Sequence, residues 1–150
     1  MSRLTLVRHA HASDAPPGGE DFDRPLSDAG LAAARALPVA LRTLPPPDRL
    51  RVSPARRTMQ TAQLGCLPAW PSLAPDPVDA LYLASLERLL REIRGTPAEC
   101  AHLVLVGHNP GLSELWSLLG GEPGFDGLAP AGWRSRDLGV AAWSAVGHAR

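Results

Sequence analysis

Two short apolar runs that lead to a histidine constrain the fold more than any other feature of the sequence. Residues 4–7 are followed directly by Arg8 and His9, and residues 103–106 are followed by Gly107 and then His108. Short apolar runs that end in a polar break are typical of the buried strands of a parallel sheet. Ligands bind at the carboxyl edge of open α/β sheets, so we expect both histidines at one site on that edge.

Helix signals alternate with the predicted strands. Serines precede three of the predicted helices, where their hydroxyls can accept hydrogen bonds from free backbone N–H groups. Proline at position 38 is expected to kink or split the first helix. The alternation predicts one domain over residues 1–150 with a three-layer α/β/α fold, a mostly parallel central sheet and an antiparallel edge. The predicted strands are 4–7, 49–52, 102–106, 133–138 and 141–146, with an extended piece at 72–74, and the predicted helices are 28–43 after Ser27, 54–65 after Ser53, 86–94 after Ser85, and 112–119.

Charge and hydropathy narrow the classes of function. Lys+Arg and Asp+Glu each number 15, so the formal net charge is zero and gives no drive towards nucleic acid or a membrane surface. No apolar run approaches the roughly 20 residues that a membrane span needs. No secretory leader is visible, and two cysteines make no disulfide framework. We therefore expect a soluble, cytoplasmic protein with no nucleic-acid or membrane partner.

A third strand end also presents arginine. The predicted strand 49–52 is followed by Ser53, Pro54, Arg56 and Arg57. Helix N-termini favour anions, and an arginine fork matches phosphate oxygens. Each strand end alone could be a solvated surface feature, but three together predict a pocket with two arginines and two histidines. Such a pocket suits a dianion, and the commonest biological dianion is a phosphoryl group.

Four short motifs in a fixed order carry a family resemblance. They are LVRHA at 6–10, DRPLSDAG at 23–30, SPARRTMQTA at 53–62 and VGHNP at 106–110. Together they resemble the histidine phosphatase superfamily, and most closely its small SixA-type phosphohistidine phosphatases, over about residues 3–119. The resemblance implies the phosphoglycerate mutase-like fold and a phosphatase activity that uses no metal or other cofactor.

The resemblance also implies roles for single residues. His9 would be the nucleophile that becomes a phosphohistidine, Arg8 and Arg57 would clamp the phosphoryl oxygens, and a protonated His108 would stabilise the transferring group. The family arginine lies four residues after the serine of its Ser-Pro motif, which selects Arg57 rather than Arg56. These roles suit phosphoryl transfer, which depends mainly on positioning and charge stabilisation.

The sequence departs from the family pattern at two places. Ala10 stands where glycine is usual. Members that hydrolyse alcohol esters carry an acid, usually glutamate, before the last core strand, and residues 79–87 offer no clear equivalent. Asp21 and Asp14, in the loop after His9, are the candidate acids, and Asp21 is preferred. A missing or shifted acid suits an imidazole leaving group, which is far less basic than an alkoxide.

The sequence thus predicts a metal-independent phosphatase that acts through His9 on a phosphorylated substrate, with phosphohistidine on a protein preferred. Three alternatives stay open. The chain could dephosphorylate a small phosphorylated metabolite, or it could be a catalytically decayed module that binds phosphate for regulation. A metallohydrolase that uses His9 and His11 is the third. His102 and His148 are expected to be structural or surface residues.

Overall fold

A five-stranded sheet forms the centre of the structure, a computed structural model that describes residues 2–148. The strands in chain order are β1 (Arg3–Arg8), β2 (Arg49–Val52), β3 (Pro75–Pro77), β4 (His102–Gly107) and β5 (Trp133–Asp137). They lie side by side in the order β3, β2, β4, β1, β5. Each neighbouring pair is parallel except β1 and β5, which are antiparallel. The predicted mostly parallel sheet with an antiparallel edge is confirmed.

Four α-helices connect these strands. They are α1 (Asp28–Leu41), α2 (Arg56–Thr61), α3 (Leu86–Arg94) and α4 (Gly111–Leu118). A π-helical turn, Ala62–Cys66, continues α2, and 3₁₀ turns occupy Asp21–Asp23, Asp79–Leu81 and Trp143–Ala145. No helix within residues 2–148 is long and apolar enough to cross a membrane.

The helices cover both faces of the sheet, which makes the fold three-layered. Successive side chains of a strand point to opposite faces. In β1, Leu4 and Leu6 pack into one apolar core with residues of α3 and α4. Val7 packs into a second core with residues of α1. The central strands are therefore buried on both faces, which explains why their sequences are continuous apolar runs rather than alternating ones.

Two of the predicted helix starts are confirmed. The Ser27 hydroxyl accepts a hydrogen bond from the Gly30 N–H at 3.0 Å, and the Ser85 hydroxyl accepts one from the Arg88 N–H at 3.2 Å. Of the two outcomes predicted for Pro38, a kink or a split of α1, the split is wrong, since α1 continues to Leu41. The proline removes one N–H and therefore at most one helical hydrogen bond.

Three local predictions differ from the structure. The N-cap predicted at Ser53 is wrong, because α2 begins at Arg56 with Ala55 as its cap residue. The extended piece predicted at 72–74 lies at Pro75–Pro77 instead. The last predicted strand, 141–146, is a 3₁₀ turn. Its Trp143 is buried and its indole N–H donates to the Cys100 carbonyl at 2.8 Å, so the segment covers a core instead of pairing with β5.

The β1–α1 loop, residues 9–27, is fixed at its base. Ala12 and Leu26 form an antiparallel bridge, and the Ser13 N–H donates to the Pro25 carbonyl at 2.8 Å. The first turn of α1 lies so close to this base that a Cβ atom at Gly30 would collide with the His11 carbonyl. We call this fixed base the neck of the loop. The remainder of the loop projects from it beside the carboxyl end of β1.

Candidate active site

The ends of β1 and β4 bring two histidines together. Arg8 and Gly107 are opposite each other in the parallel pairing of these strands, so His9 and His108 each come one residue after the paired positions. Their ring centroids are 5.3 Å apart. The site predicted from the two apolar runs is thus assembled at the carboxyl edge of the sheet.

The backbone around His9 is held on both sides. The His9 N–H donates to the Gly107 carbonyl, and the His9 carbonyl accepts from the Ala131 N–H, each at 3.1 Å. The next N–H, that of Ala10, donates to the Thr61 hydroxyl at 3.0 Å. These contacts come from three separate parts of the chain, so the position of the His9 ring is set by tertiary structure.

Arg57 reaches the same place from the first turn of α2. Its side chain is 3% exposed, and Nη2 lies 3.3 Å from Nδ1 of His108. Arg8 lies at the end of β1, where Nη1 donates to the Leu128 carbonyl at 2.9 Å. Within residues 2–148, Nε of Arg8 is buried without a hydrogen-bond partner. The two arginines and two histidines of the prediction therefore lie in one cluster.

The hydrogen bond of His9 fixes its tautomer. Nδ1 lies 2.7 Å from the Ala10 carbonyl oxygen, which can only accept, so Nδ1 carries the proton. Burial lowers the pKa of His9 to about 4, and the Arg57 and Arg8 charges act in the same direction. At neutral pH the ring is therefore neutral, and Nε2 keeps a lone pair, as a nucleophile requires.

The contacts of His108 fix the opposite tautomer. Nδ1 faces a guanidinium, which can only donate, so Nδ1 accepts from Arg57. The remaining proton is on Nε2, which donates to the Ser53 hydroxyl at 2.7 Å. Burial, together with the Arg57 charge, lowers the pKa of His108 to about 3. The expectation that His108 is protonated does not fit these surroundings, because a buried imidazolium beside Arg57 is unfavourable.

We predict that both histidines are neutral at pH 7 with different tautomers. Nitrogen-15 NMR should show Nδ1 of His9 and Nε2 of His108 as protonated. Titration from pH 8 to pH 5 should leave both rings unchanged, since their pKa values are about 4 and about 3. The same rings in denaturant provide the control and should titrate near the ordinary value of about 6.5. A midpoint near that value in the folded protein would contradict the assignment.

Asp21 is the acidic residue that the structure brings into the cluster. Its carboxylate accepts from Arg57 at 3.0 Å, from Tyr82 at 2.5 Å and from Arg24 at 3.2 Å. The Tyr82 hydrogen bond, followed by those from the two arginines, lowers the pKa of Asp21 to about 2. The Asp21 carboxylate is therefore ionised at neutral pH. Asp14, the other candidate acid, is an exposed loop residue.

Sequence reasoning missed two residues that contact these groups. Tyr82 donates to Asp21, and its ring packs edge-on against His108 with centroids 5.5 Å apart. Ser53 was expected to cap a helix, but its hydroxyl pairs with His108. No local pattern marks either contact, because 61 and 55 residues separate the partners in the chain.

The remaining histidines lie in other settings. Nδ1 of His11 is 2.8 Å from the Ser27 hydroxyl, at the neck of the β1–α1 loop. His102 is buried, and its ring bonds the Thr5 hydroxyl and the Pro45 carbonyl, so its role is structural. His148 is exposed. Among residues 2–148, no group of three or more His, Cys, Asp and Glu side chains is arranged to hold a metal ion.

Comparisons with known proteins concern the family and the fold. Residues 4–70 match the family model of the histidine phosphatase superfamily, branch 1. No curated protein sequence matches the chain. A solved structure designated phosphohistidine phosphatase SixA, from Agrobacterium tumefaciens, is 32% identical with a TM-score of 0.78, and the match covers 89% of this chain and 90% of that one. A SixA structure from Nakamurella multipartitia is 29% identical with a TM-score of 0.74, and that match covers 97% of this chain and 89% of the other.

A third structure shares the fold at lower identity. It is the protein histidine phosphatase SixA in complex with tungstate, with 22% identity and a TM-score of 0.67 over 85% of this chain and 81% of that one. At this identity the likeness concerns the fold alone.

Proposed function

The chain belongs to the histidine phosphatase superfamily, and we propose that it removes phosphoryl groups from phosphohistidine side chains of proteins through a covalent intermediate on His9. The chain has the phosphoglycerate mutase-like fold and is a phosphatase. Its action on phosphohistidine, the intermediate on His9 and a cytoplasmic location are proposed. The observation that carries it is the His9 ring, whose Nδ1 is held by the Ala10 carbonyl so that Nε2 keeps its lone pair, in one cluster with His108 and the buried Arg57.

The first step transfers the phosphoryl group to His9. The Nε2 lone pair forms a bond to phosphorus while the bond from phosphorus to the leaving nitrogen breaks. The leaving nitrogen keeps the electron pair of that bond, and since the other nitrogen of its ring is protonated, the ring departs as neutral imidazole. Arg8 and Arg57 hold the phosphoryl oxygens in this proposal. Their role is positioning and charge stabilisation, which supply most of the catalysis in phosphoryl transfer.

The second step returns His9 to its starting state. A water molecule attacks phosphorus, the bond between phosphorus and Nε2 breaks with its electron pair returning to Nε2, and inorganic phosphate leaves with the oxygen and both protons of the water. Nδ1 stays protonated throughout because it donates to the Ala10 carbonyl. The ring therefore needs no change of tautomer between the two steps.

We expect His108 to be neutral only before substrate binds. A bound dianion favours the protonated form of any nearby imidazole. In that form Nδ1 of His108 donates to a phosphoryl oxygen, while Nε2 keeps its bond to Ser53. His108 can therefore stabilise the transferring group only after the substrate has bound. The sequence alone does not indicate this condition.

The state of Asp21 supports an imidazole leaving group. General acid catalysis is typically worth about 10² to 10⁴ in rate, and it requires a protonated acid near the leaving atom. Asp21, held by Tyr82 and Arg57, is ionised at neutral pH, with a pKa of about 2. An alkoxide leaving group would need a proton that ionised Asp21 cannot supply. An imidazole, whose protonated form has an ordinary pKa of about 6.5, leaves with less assistance.

A comparison of substrates tests this proposal. A phosphohistidine-bearing protein and a set of alkyl phosphomonoesters should be compared at equal concentration, with and without chelator. We expect kcat/KM for the phosphohistidine protein to be at least about 100-fold higher, and no effect of chelator.

Each alternative predicts a different result. Fast hydrolysis of alkyl esters and none of phosphohistidine would indicate a small-metabolite phosphatase. Phosphate binding without turnover of any substrate would indicate a decayed binding module. Loss of activity with chelator would indicate a metallohydrolase.

A further inference from the structure

Asp21 and Arg57 make a contact that the proposed phosphatase cycle must break. We propose that the Asp21 carboxylate is an internal anion, which occupies Arg57 while the site is empty and is displaced by the phosphoryl group. We also propose that Tyr82 is the positioning residue that holds Asp21 there. This inference rests on the proposed function only in that the phosphoryl group binds at Arg57.

Asp21 accepts one hydrogen bond from each terminal nitrogen of the Arg57 fork. Nη1 donates to the Asp21 backbone carbonyl at 2.8 Å, and Nη2 donates to the Asp21 carboxylate at 3.0 Å. A phosphoryl group can use the same two terminal nitrogens when an arginine binds it in a bidentate way. A phosphoryl group that takes the N–H groups now directed at Asp21 has to displace it, because each N–H points in one direction.

Tyr82 holds the carboxylate from the other side. Its hydroxyl donates at 2.5 Å to Oδ2 of Asp21, the oxygen that also accepts from Arg57. Its ring packs edge-on against Phe22, the next loop residue, with centroids 5.2 Å apart. Tyr82 therefore contacts both the carboxylate and the loop that carries it, and it brings no charge of its own.

The loop can release Asp21 without unpacking a core. Its neck is fixed by the bridge between Ala12 and Leu26. The turn Asp21–Asp23, by contrast, contains no buried residue, and the Asp21 side chain is 45% exposed. Movement of this turn therefore exchanges hydrogen bonds for contacts with water or substrate and exposes little apolar surface.

An internal anion affects which ligands bind. A ligand must displace a singly charged carboxylate, so its apparent affinity is lower than its intrinsic affinity for the free arginine. A phosphoryl dianion has the extra charge to compete, whereas a singly charged anion only equals the group that it replaces. The contact thus selects dianions over carboxylates.

Phosphate binding to four proteins tests the inference. Calorimetry at one pH should compare the wild type, Asp21→Asn, Tyr82→Phe and the double variant, with inorganic phosphate as ligand. We expect Asp21→Asn to tighten the phosphate Kd by about fivefold or more, and Tyr82→Phe to tighten it by about two- to threefold. In the Asp21→Asn background Tyr82→Phe should have almost no further effect, because Tyr82 acts through the carboxylate.

Asp14→Asn is the matched control. It removes the same charge from the same loop at an exposed position, so its phosphate Kd should equal that of the wild type. Tighter binding by Asp14→Asn to the same extent would show a general charge effect and overturn the inference. Unchanged or weaker binding by Asp21→Asn would also overturn it, as would a Tyr82→Phe effect that persists without the carboxylate.

Kinetics separate this role from that of a general acid. An internal anion predicts that Asp21→Asn lowers KM with kcat within about twofold of the wild type, whereas loss of an acid predicts a kcat about 10² to 10⁴ lower. Failure of the proposed function would appear as absent turnover in all the proteins. The phosphate Kd values would still test the inference, since binding of inorganic phosphate requires no chemistry.

Discussion

Replacement of His9 by asparagine is expected to lower kcat/KM by at least about 10⁴-fold, because the covalent route has no other nucleophile in its place. The asparagine amide N–H can still donate to the Ala10 carbonyl that holds the ring in the wild type. The fold and phosphate binding should therefore change little. Steady-state kinetics with the phosphohistidine protein, together with a calorimetric phosphate Kd, measure both parts of this prediction.

His11→Asn provides the control for this variant. His11 is an exposed histidine two residues further along the same loop. We expect its replacement to keep kcat/KM within about threefold of the wild type, as is usual for surface positions. Retention of more than a tenth of the activity by His9→Asn, or an equal loss in both variants, would contradict the role of His9.

Arg57→Ala is expected to lower kcat/KM by about 10³ to 10⁵, the range found when a transition-state arginine is removed from phosphoryl-transfer enzymes. Arg57 is nearly fully buried and lies within hydrogen-bond distance of His108. Arg57→Lys keeps the charge but loses the planar fork, so it should recover only part of the loss. The kcat/KM values of the two variants measure the separate contributions of charge and geometry.

Arg56 gives the comparison that separates the two neighbouring arginines. It is the first residue of α2 and is exposed, whereas Arg57 is buried in the site. Arg56→Ala should therefore leave kcat/KM within about threefold of the wild type. A larger loss for Arg56→Ala than for Arg57→Ala would show that the wrong arginine had been assigned.

The features that sequence patterns could predict are the locally encoded ones. Continuous apolar runs located β1 and β4, and their polar ends located His9 and His108. Serine before a helical pattern located the starts of α1 and α3. Each of these signals lies within a few residues of the feature that it predicts, so one sequence is sufficient to read it.

The features that could not be predicted depend on contacts between distant segments. Ser53 stands before a helix, as a capping residue would, but its hydroxyl is used by His108 from another strand end. The protonation state of His108 depends on burial and on Arg57, which no local pattern indicates. The contact of Tyr82 with Asp21 depends on how two loops pack.

Rapid-quench labelling tests the central claim most directly. The enzyme should be mixed with a phosphohistidine protein, quenched in base within milliseconds and analysed by mass spectrometry for bound phosphate. The account predicts an acid-labile phosphoryl group on His9, present in His11→Asn and absent in His9→Asn. Phosphate on a different residue, or full turnover by His9→Asn with no labelled enzyme, would contradict it.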